Sequence, residues 1–140
     1  MQLLTTTFIS LLFLGTSAFP TTTNTRAATI QINPSLVPIF SIATGSGVGA
    51  NGVAIPKNCP PARSAFIAKL SANVAAGNVL GTPITFNNDP TVQDTKTNEA
   101  RATAMIITLQ SFTGVKGVGC PGASTPELLK EQKTGVASPS

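Results

Sequence analysis

The chain contains no histidine, no tryptophan and no tyrosine, and each absence removes or weakens a class of function. Without histidine, the commonest general base and metal ligand is missing, together with the partner that activates a serine or cysteine nucleophile. Without tyrosine and tryptophan, the amphipathic rings that commonly stack on sugar faces are missing. The sequence therefore argues against a histidine-dependent enzyme and weakens a role as a sugar-binding module.

Charge is also scarce, because Asp, Glu, Lys and Arg together make up only 10% of the 140 residues. Nine Lys and Arg against five Asp and Glu leave a net charge of +4, and the cations are spread along the chain. A nucleic-acid-binding protein usually concentrates its cations on one face. We therefore expect a solvated basic surface and no nucleic-acid partner.

The few acidic residues are the remaining candidates for catalysis. Asp89, Asp94 and Glu99 lie close together in the sequence. A glycosidase needs two carboxyl groups about 5–9.5 Å apart across a cleft. Turn formation and helix capping explain these residues more simply, so a hydrolase that uses them is the less favoured interpretation. The sequence predicts a protein that is not an enzyme, with no catalytic, cofactor-binding or metal-binding residues.

The N-terminal region has the features of a secretion signal. Residues 3–15 are largely apolar and uncharged, and the small residues Thr16, Ser17 and Ala18 then provide a cleavage site before Phe19. This block is too short to span a bilayer, and no later segment is long enough to do so. We predict a signal peptide over residues 1–18 and a secreted, extracellular protein without stable membrane insertion.

The rest of the chain divides into a leader, a domain and a tail. Residues 19–28 are rich in threonine and read as a flexible leader, for which O-glycosylation and trimming near Arg26 both stay open. Residues 29–134 have the length of one small domain. Residues 135–140 are predicted to be a flexible tail that frays.

The two cysteines, Cys59 and Cys120, are predicted to form a disulfide, because paired thiols are the rule in small secreted domains. Free thiols and an intermolecular bridge are the alternatives. Two cysteines without histidine make a poor zinc site, since zinc prefers about four nitrogen or sulfur ligands.

Periodic apolar residues predict three helices. Phe66, Leu70 and Val74 recur at every fourth position after Pro60-Pro61, which indicates a helix over residues 62–76 that ends at Gly77. Arg63 and Lys69 fall off this stripe and are expected to face water.

The second and third helices are predicted from their own stripes and caps. Residues 95–112 carry an apolar stripe, with Asp94 among the candidate caps. The stripe comprises Ala102, Met105, Ile106 and Leu109. Residues 126–133 form a short third helix, for which Ser124 and Glu127 match a capping box.

Residues 27–56 contain no charged side chain, which sets this segment apart. Ile30 and Ile32 alternate with polar residues, a pattern typical of a short strand, and the glycines of residues 45–52 indicate a loop. The GxGxxG pattern of residues 47–52 lacks a following helix and an acidic partner, so it does not indicate a dinucleotide site. The segment either completes the core or meets a partner. The candidate partner-binding residues are Val37, Ile39, Phe40, Gly47, Val48 and Asn51.

Two Cys-Pro corners carry a resemblance to a known group of proteins. The stretch from Cys59-Pro60-Pro61 to Gly77 and the run Gly117-Val118-Gly119-Cys120-Pro121 resemble an uncharacterised family of small secreted proteins of filamentous fungi. The likeness spans most of residues 33–121. It implies a fungal origin, export and no assigned catalysis, and it carries over no active-site residue.

These observations together predict a mainly α-helical single domain with one disulfide. We expect two principal antiparallel helices and, after them, a short third helix. The N-terminal segment is expected to be extended or irregular and to include short strands. We expect a secreted, non-catalytic fungal protein that acts by binding a host or cell-wall component and is effector-like, or virulence-related. A structural cell-wall or surface protein is the alternative. The sequence leaves the identity of the partner and the oligomeric state open.

Overall fold

Three α-helices carry most of the fold over residues 29–140, the part of the chain that the computed structural model describes. They are α1 (Arg63–Ala76), α2 (Thr95–Gln110) and α3 (Pro126–Thr134). A two-stranded antiparallel sheet, β1 (Asn78–Val79) and β2 (Thr82–Pro83), lies between α1 and α2 in the sequence. The predicted fold class, mainly helical with one disulfide, is confirmed. The predicted signal peptide (residues 1–18) and leader (residues 19–28) lie outside the described residues.

Helix α1 begins two residues after the paired prolines, which precede the helix and do not form its first turn. It buries Phe66 and Leu70 as the predicted stripe requires. It ends at Gly77, whose left-handed backbone (φ 71°) lets its N–H donate to the carbonyls of Asn73 and Val74. A residue with a Cβ adopts that conformation less readily, so the glycine is suited to end the helix.

Helix α2 is the central element and contacts both other helices, most extensively α3. All four residues of its predicted stripe are buried. Asp94 caps it by accepting the Thr97 N–H at 3.0 Å, as predicted. The helix ends at Gln110, two residues earlier than expected. The reason is that the Cys120 N–H, at 3.0 Å, takes the Leu109 carbonyl that a further turn would have used.

Helix α3 follows the prediction within one residue at its end, with Pro126 in its first turn and Gly135 after its last. The tail behaves differently from the expectation that it frays. The Ser138 N–H donates to Glu131 at 3.3 Å, and the Ile39 N–H donates to the Pro139 carbonyl at 3.1 Å. The tail is therefore fastened to the domain, because these polar groups find partners within the fold.

The strand predicted at residues 30–32 is absent, and the strand pair of the described residues lies elsewhere. Residues 30–32 form no strand, although the alternation survives as burial, since Ile32 is fully buried and Ile30 is exposed. The paired strands lie instead at Asn78–Val79 and Thr82–Pro83. Leu80 and Gly81 form the turn between the strands, both with positive φ. This tight turn of two residues with positive φ brings the two strands together.

The core joins all three helices to the N-terminal segment and includes the disulfide. Its buried side chains include Ile32, Val37, Ile55, Phe66, Leu70, Met105, Leu109 and Leu128. Cys59, just before α1, is bonded to Cys120, just after α2, with the two Cα atoms 5.4 Å apart. Both cysteines are buried, so the crosslink is shielded from solvent.

Removing the crosslink is expected to lower the free energy of unfolding by about 4 kcal/mol, because the bond closes a long loop in the unfolded chain. The variant Cys59→Ala/Cys120→Ala, measured by denaturant unfolding, tests this. Wild-type protein under a reductant is the control and should lose a similar amount. Equal unfolding midpoints for reduced and oxidised wild-type protein would contradict the prediction.

Candidate binding surface

The uncharged segment, residues 33–56, has an inner side that completes the core. Leu36, Val37 and Ile55 are buried in it. Val37 was predicted to contact a partner, and that prediction is wrong, because its side chain has no exposed surface. Leu36, Val37 and Pro38 are buried one after another, whereas Ile39 turns outward. Composition alone does not reveal where this change occurs.

The outer side of the same segment presents large apolar side chains to solvent. Ile39 is 60% exposed, Val48 55% and Val53 47%. Phe40 is half-buried, with its ring edge-on to that of Phe66 at a centroid distance of 5.4 Å. Of the predicted site residues, Ile39 and Val48 are therefore available for contact, and Phe40 serves both the core and the surface.

A shallow pocket adjoins Phe40. Its volume is about 210 Å³. The residues that line it include Ile39, Phe40, Ile42, Thr44, Pro61 and Arg63. Apart from the Arg63 side chain these are uncharged, so the pocket is suited to an apolar or weakly polar group.

Arg63 fastens the beginning of the uncharged segment to α1. Its Nη2 donates to the carbonyls of Pro34 and Val37, each at 2.7 Å. The prediction that Arg63 faces water missed this role, because the acceptors are backbone atoms far away in the sequence. The Thr44 hydroxyl adds a second tie by donating to the Pro60 carbonyl at 2.6 Å.

Helix α3 holds the middle of the segment. Glu127 Oε1 accepts the Ser41 N–H at 3.0 Å. The capping box predicted for Ser124 and Glu127 is wrong, because Glu127 serves this distant N–H and the Ser124 hydroxyl donates to the Pro121 carbonyl. The part of the outer side around Ile39 is thus carried on backbone that is hydrogen-bonded to two helices.

The glycine-rich loop is a tight hairpin. The Gly49 N–H donates to the Val53 carbonyl at 2.7 Å, and Asn51 and Gly52 occupy the tip with φ of 56° and 74°. Two successive positive φ values are typical of Asn-Gly hairpin turns. Among the predicted site residues, Asn51 is therefore exposed at the tip, whereas Gly47 is half-buried at the base.

A second concave surface runs along α1, and sequence reasoning missed it. This groove has a volume of about 680 Å³. Residues 29–31 form one wall, and one face of α1 forms the other, with Ser64, Ala68, Ala72 and Ala75. The available signal was the small residues spaced four apart, which lie on one helical face and leave room beside the backbone.

Two of the three carboxylates considered for catalysis are hydrogen-bonded within their own turns. Asp89 accepts the Thr91 N–H and hydroxyl, and Asp94 accepts the Thr97 N–H and hydroxyl. These hydrogen bonds lower the pKa of both aspartates. A carboxyl with a lowered pKa is a poor proton donor at neutral pH. Glu99 lies on α2 and is half-buried.

The most heavily bonded ionisable side chain is Arg101, which the sequence did not distinguish. Its guanidinium is buried on α2 and donates four hydrogen bonds of 2.6–2.9 Å. Three of them reach carbonyls of the preceding loop, and the fourth reaches a side chain of α2. The acceptors are the carbonyls of Asn87, Asp89 and Val92 and the Asn98 side chain. Arg101 therefore organises the loop before α2.

Glu131, buried on α3, lies near Arg101. Burial raises the pKa of Glu131, an effect partly offset by the Ser138 N–H and by the positive charge of Arg101. Asn98, Arg101, Glu131 and Ser138 border a cavity of about 20 Å³, which has room for about one water molecule. This cluster is structural in its contacts, since it joins α2, α3 and the tail.

Among residues 29–140, no three His, Cys, Asp or Glu side chains lie close enough together to hold a metal ion. Within the same residues, no helix has the length and apolar character needed to cross a membrane. Comparison with protein-family models, curated proteins and solved structures finds no match to this chain. The resemblance to small secreted fungal proteins therefore stays a prediction.

The raised pKa of Glu131 predicts that ionising it costs stability. The unfolded chain loses this proton near the ordinary value of 4.5, before the folded chain does. Stability from this group therefore falls as the pH rises from that value to the folded pKa. In the variant Glu131→Gln, the free energy of unfolding should no longer show this decline with pH. Asp89 and Asp94 contribute equally to the pH dependence of both proteins, so the difference between the two profiles reports Glu131. Parallel pH profiles of unfolding free energy for the two proteins would contradict the prediction.

Gly49 is expected to tolerate no side chain. A Cβ there would lie 2.4 Å from the Ala123 carbonyl oxygen and 2.9 Å from Ile55 Cγ2. Gly49→Ala should therefore lower the free energy of unfolding by about 1–3 kcal/mol, measured by denaturant unfolding. Ala54→Ser, at an exposed position of the same hairpin, is the control and should change it by no more than about 0.5 kcal/mol. A Gly49→Ala protein as stable as wild type would show that the contact is loose.

Proposed function

We propose that this protein is exported and acts outside the cell by binding, without catalysis. Its partner is a host or cell-wall component, and its role is that of an effector-like, virulence-related protein of a filamentous fungus. The N-terminal signal pattern and the resemblance to small secreted fungal proteins motivate the fungal and extracellular parts of the proposal.

The buried disulfide supports an oxidising compartment. Cys59 and Cys120 are the only cysteines of the chain, and their pairing leaves no free thiol. Such crosslinks persist in secreted proteins and are rare in the cytosol. A chain of this size gains a substantial part of its net stability from one long-range crosslink, which favours export as its normal setting.

The observation that carries the binding proposal is the outer side of the uncharged segment. Ile39, Val48 and Val53 expose large apolar side chains. The backbone on both sides of Ile39 is hydrogen-bonded to α1 and α3, and Val48 and Val53 lie in a hairpin closed by its own backbone hydrogen bonds. Depletion of charge is typical of the centre of a protein interface. A backbone that is already ordered loses less conformational entropy on binding than a mobile loop does.

A hydrolase that uses Asp89, Asp94 or Glu99 is less well supported. The hydrogen bonds of the two aspartates are local to their own turns, and their lowered pKa values disfavour a proton-donor role. The pocket beside Phe40 is lined by none of these carboxylates.

Retention in the cell wall is the alternative function. The threonine-rich leader and the low charge of the chain favour it. Fractionation of a producing culture separates the two possibilities, because a wall component stays with the insoluble material and a released binding protein accumulates in the medium. Mass analysis of the exported protein should also show an N-terminus at Phe19 and no alkylation before reduction.

The binding proposal is tested with a matched pair of substitutions. Val48→Asp places a charge on the proposed surface. Val118→Asp places a charge on another loop, at a valine whose exposed fraction (52%) is close to that of Val48 (55%). Binding of labelled protein to host cell-surface preparations and to isolated fungal walls is measured for both. We expect Val48→Asp to weaken binding at least about tenfold, because a buried charge at an interface is costly, and Val118→Asp to have little effect.

Circular dichroism and unfolding curves confirm that both variants fold. The proposed surface is wrong if Val48→Asp binds as wild type does, or if both variants lose binding equally. The extracellular part of the proposal is wrong if the protein stays inside the producing cell.

A further inference from the structure

The loop between α2 and Cys120, residues 111–119, exposes its tip to solvent. Val115 is 57% exposed and Val118 52%, and Lys116 and Gly117 between them are exposed too. The Val118 N–H donates to the Val115 carbonyl at 3.0 Å, so the four residues form a tight turn. Gly117 has a φ of 72°, in the left-handed backbone region that glycine adopts more readily than other residues.

Both ends of this loop are held by bonds outside its tip, and the Gly117 N–H of the tip also donates to the Ser111 hydroxyl at 3.3 Å. On the helix side, the Ser111 N–H donates to the Ile107 carbonyl at 3.1 Å. On the other side, the Cys120 N–H donates to the Leu109 carbonyl at 3.0 Å and its sulfur is bonded to Cys59. Gly119 packs so closely on the end of α2 that a Cβ would lie 2.4 Å from the Leu109 carbonyl oxygen. A break at the tip therefore leaves both flanking segments anchored.

The other basic side chains of the described residues are less accessible to a protease. A protease binds its substrate in extended form, which exposed loop tips adopt more readily than helices. Six of the others lie within the three helices: Arg63, Lys69, Lys96, Arg101, Lys130 and Lys133. The seventh, Lys57, lies in a similar tight turn, in which the Cys59 N–H donates to the Pro56 carbonyl at 2.9 Å. The difference lies two residues further on, where Cys59 is fully buried and Val118 is 52% exposed.

We propose that the Lys116–Gly117 peptide bond is a processing site for an endoprotease of trypsin-like specificity. Hydrolysis breaks the C–N bond and consumes one water, leaving a carboxylate on Lys116 and an amino group on Gly117. Cys59 lies before the cleaved bond and Cys120 after it, so the disulfide joins the two products. The product is a two-chain protein whose chains stay covalently joined through the disulfide.

The C-terminal product, residues 117–140, carries α3. Its Leu128 is fully buried in the core, and its Glu127 holds the uncharged segment through the Ser41 N–H. Because α3 also makes its most extensive contact with α2, the two-chain protein keeps its fold while the disulfide is intact. Reduction then leaves the two pieces associated by non-covalent contacts alone, which makes the processed form sensitive to reductants.

Limited digestion of the oxidised protein, beginning at Phe19, with trypsin tests the proposal. The first internal cut should fall after Lys116, giving one band without reductant and two with it, and the helical circular dichroism signal should persist. Lys116→Gln should slow this first cut at least about tenfold, because the other sites lie in helices or beside a buried residue and require more extensive local unfolding than this turn does. Lys57→Gln, at the other exposed loop lysine, should leave its rate unchanged.

Mass spectrometry assigns every cut, and cleavage after Arg26 is scored separately because it only shortens the N-terminal end. A first internal cut at Lys57 or within a helix overturns the proposal. So does a cut after Lys116 that abolishes the helical signal, since the two-chain form would then have no stable fold. Addition of reductant to the cleaved protein should lower its melting temperature further than it lowers that of the intact protein. An equal drop for both overturns the predicted sensitivity to reductants.

Discussion

The crosslink between Cys59 and Cys120 is the constraint on which the rest of the structure depends. It joins the point where the uncharged segment enters α1 to the point where the chain leaves α2. The Cys120 N–H, bonded to the Leu109 carbonyl, ends α2 at the same place. Because both cysteines are buried in the core, the bond also fixes how the N-terminal segment covers Phe66 and Leu109.

A polar cluster organises the N-terminal end of α2, away from the disulfide. Arg101 donates to the carbonyls of Asn87, Asp89 and Val92 in the loop before α2, and Asn98 donates to the Gly135 carbonyl. Burying a guanidinium is costly unless its donors are satisfied. The number of these bonds explains why a small domain with few charged residues keeps this one inside, beside the buried carboxyl of Glu131.

The disulfide and the polar cluster of Arg101 leave two distinct surfaces exposed to solvent. The outer side of the uncharged segment is apolar and tied to α1 and α3, whereas the α2–Cys120 loop is exposed at its tip and anchored at its ends. The same disulfide underlies both proposals. It stabilises the fold that orders this surface in a short chain, and it would keep the two products covalently joined after cleavage of the loop.

Local signals in the sequence determined the three helices, the Asp94 cap, the Gly77 stop and the pairing of the only two cysteines, because each depends on neighbours within a few residues or on a single available partner. Tertiary structure alone decided the roles of Arg63, Arg101 and Glu127, whose acceptors and donors are distant in the chain. It also decided that Val37 points inward and Ile39 outward, and that the tail docks. A residue's hydrogen-bond partners and exposure depend on which segments meet in three dimensions, and no pattern within one segment records that.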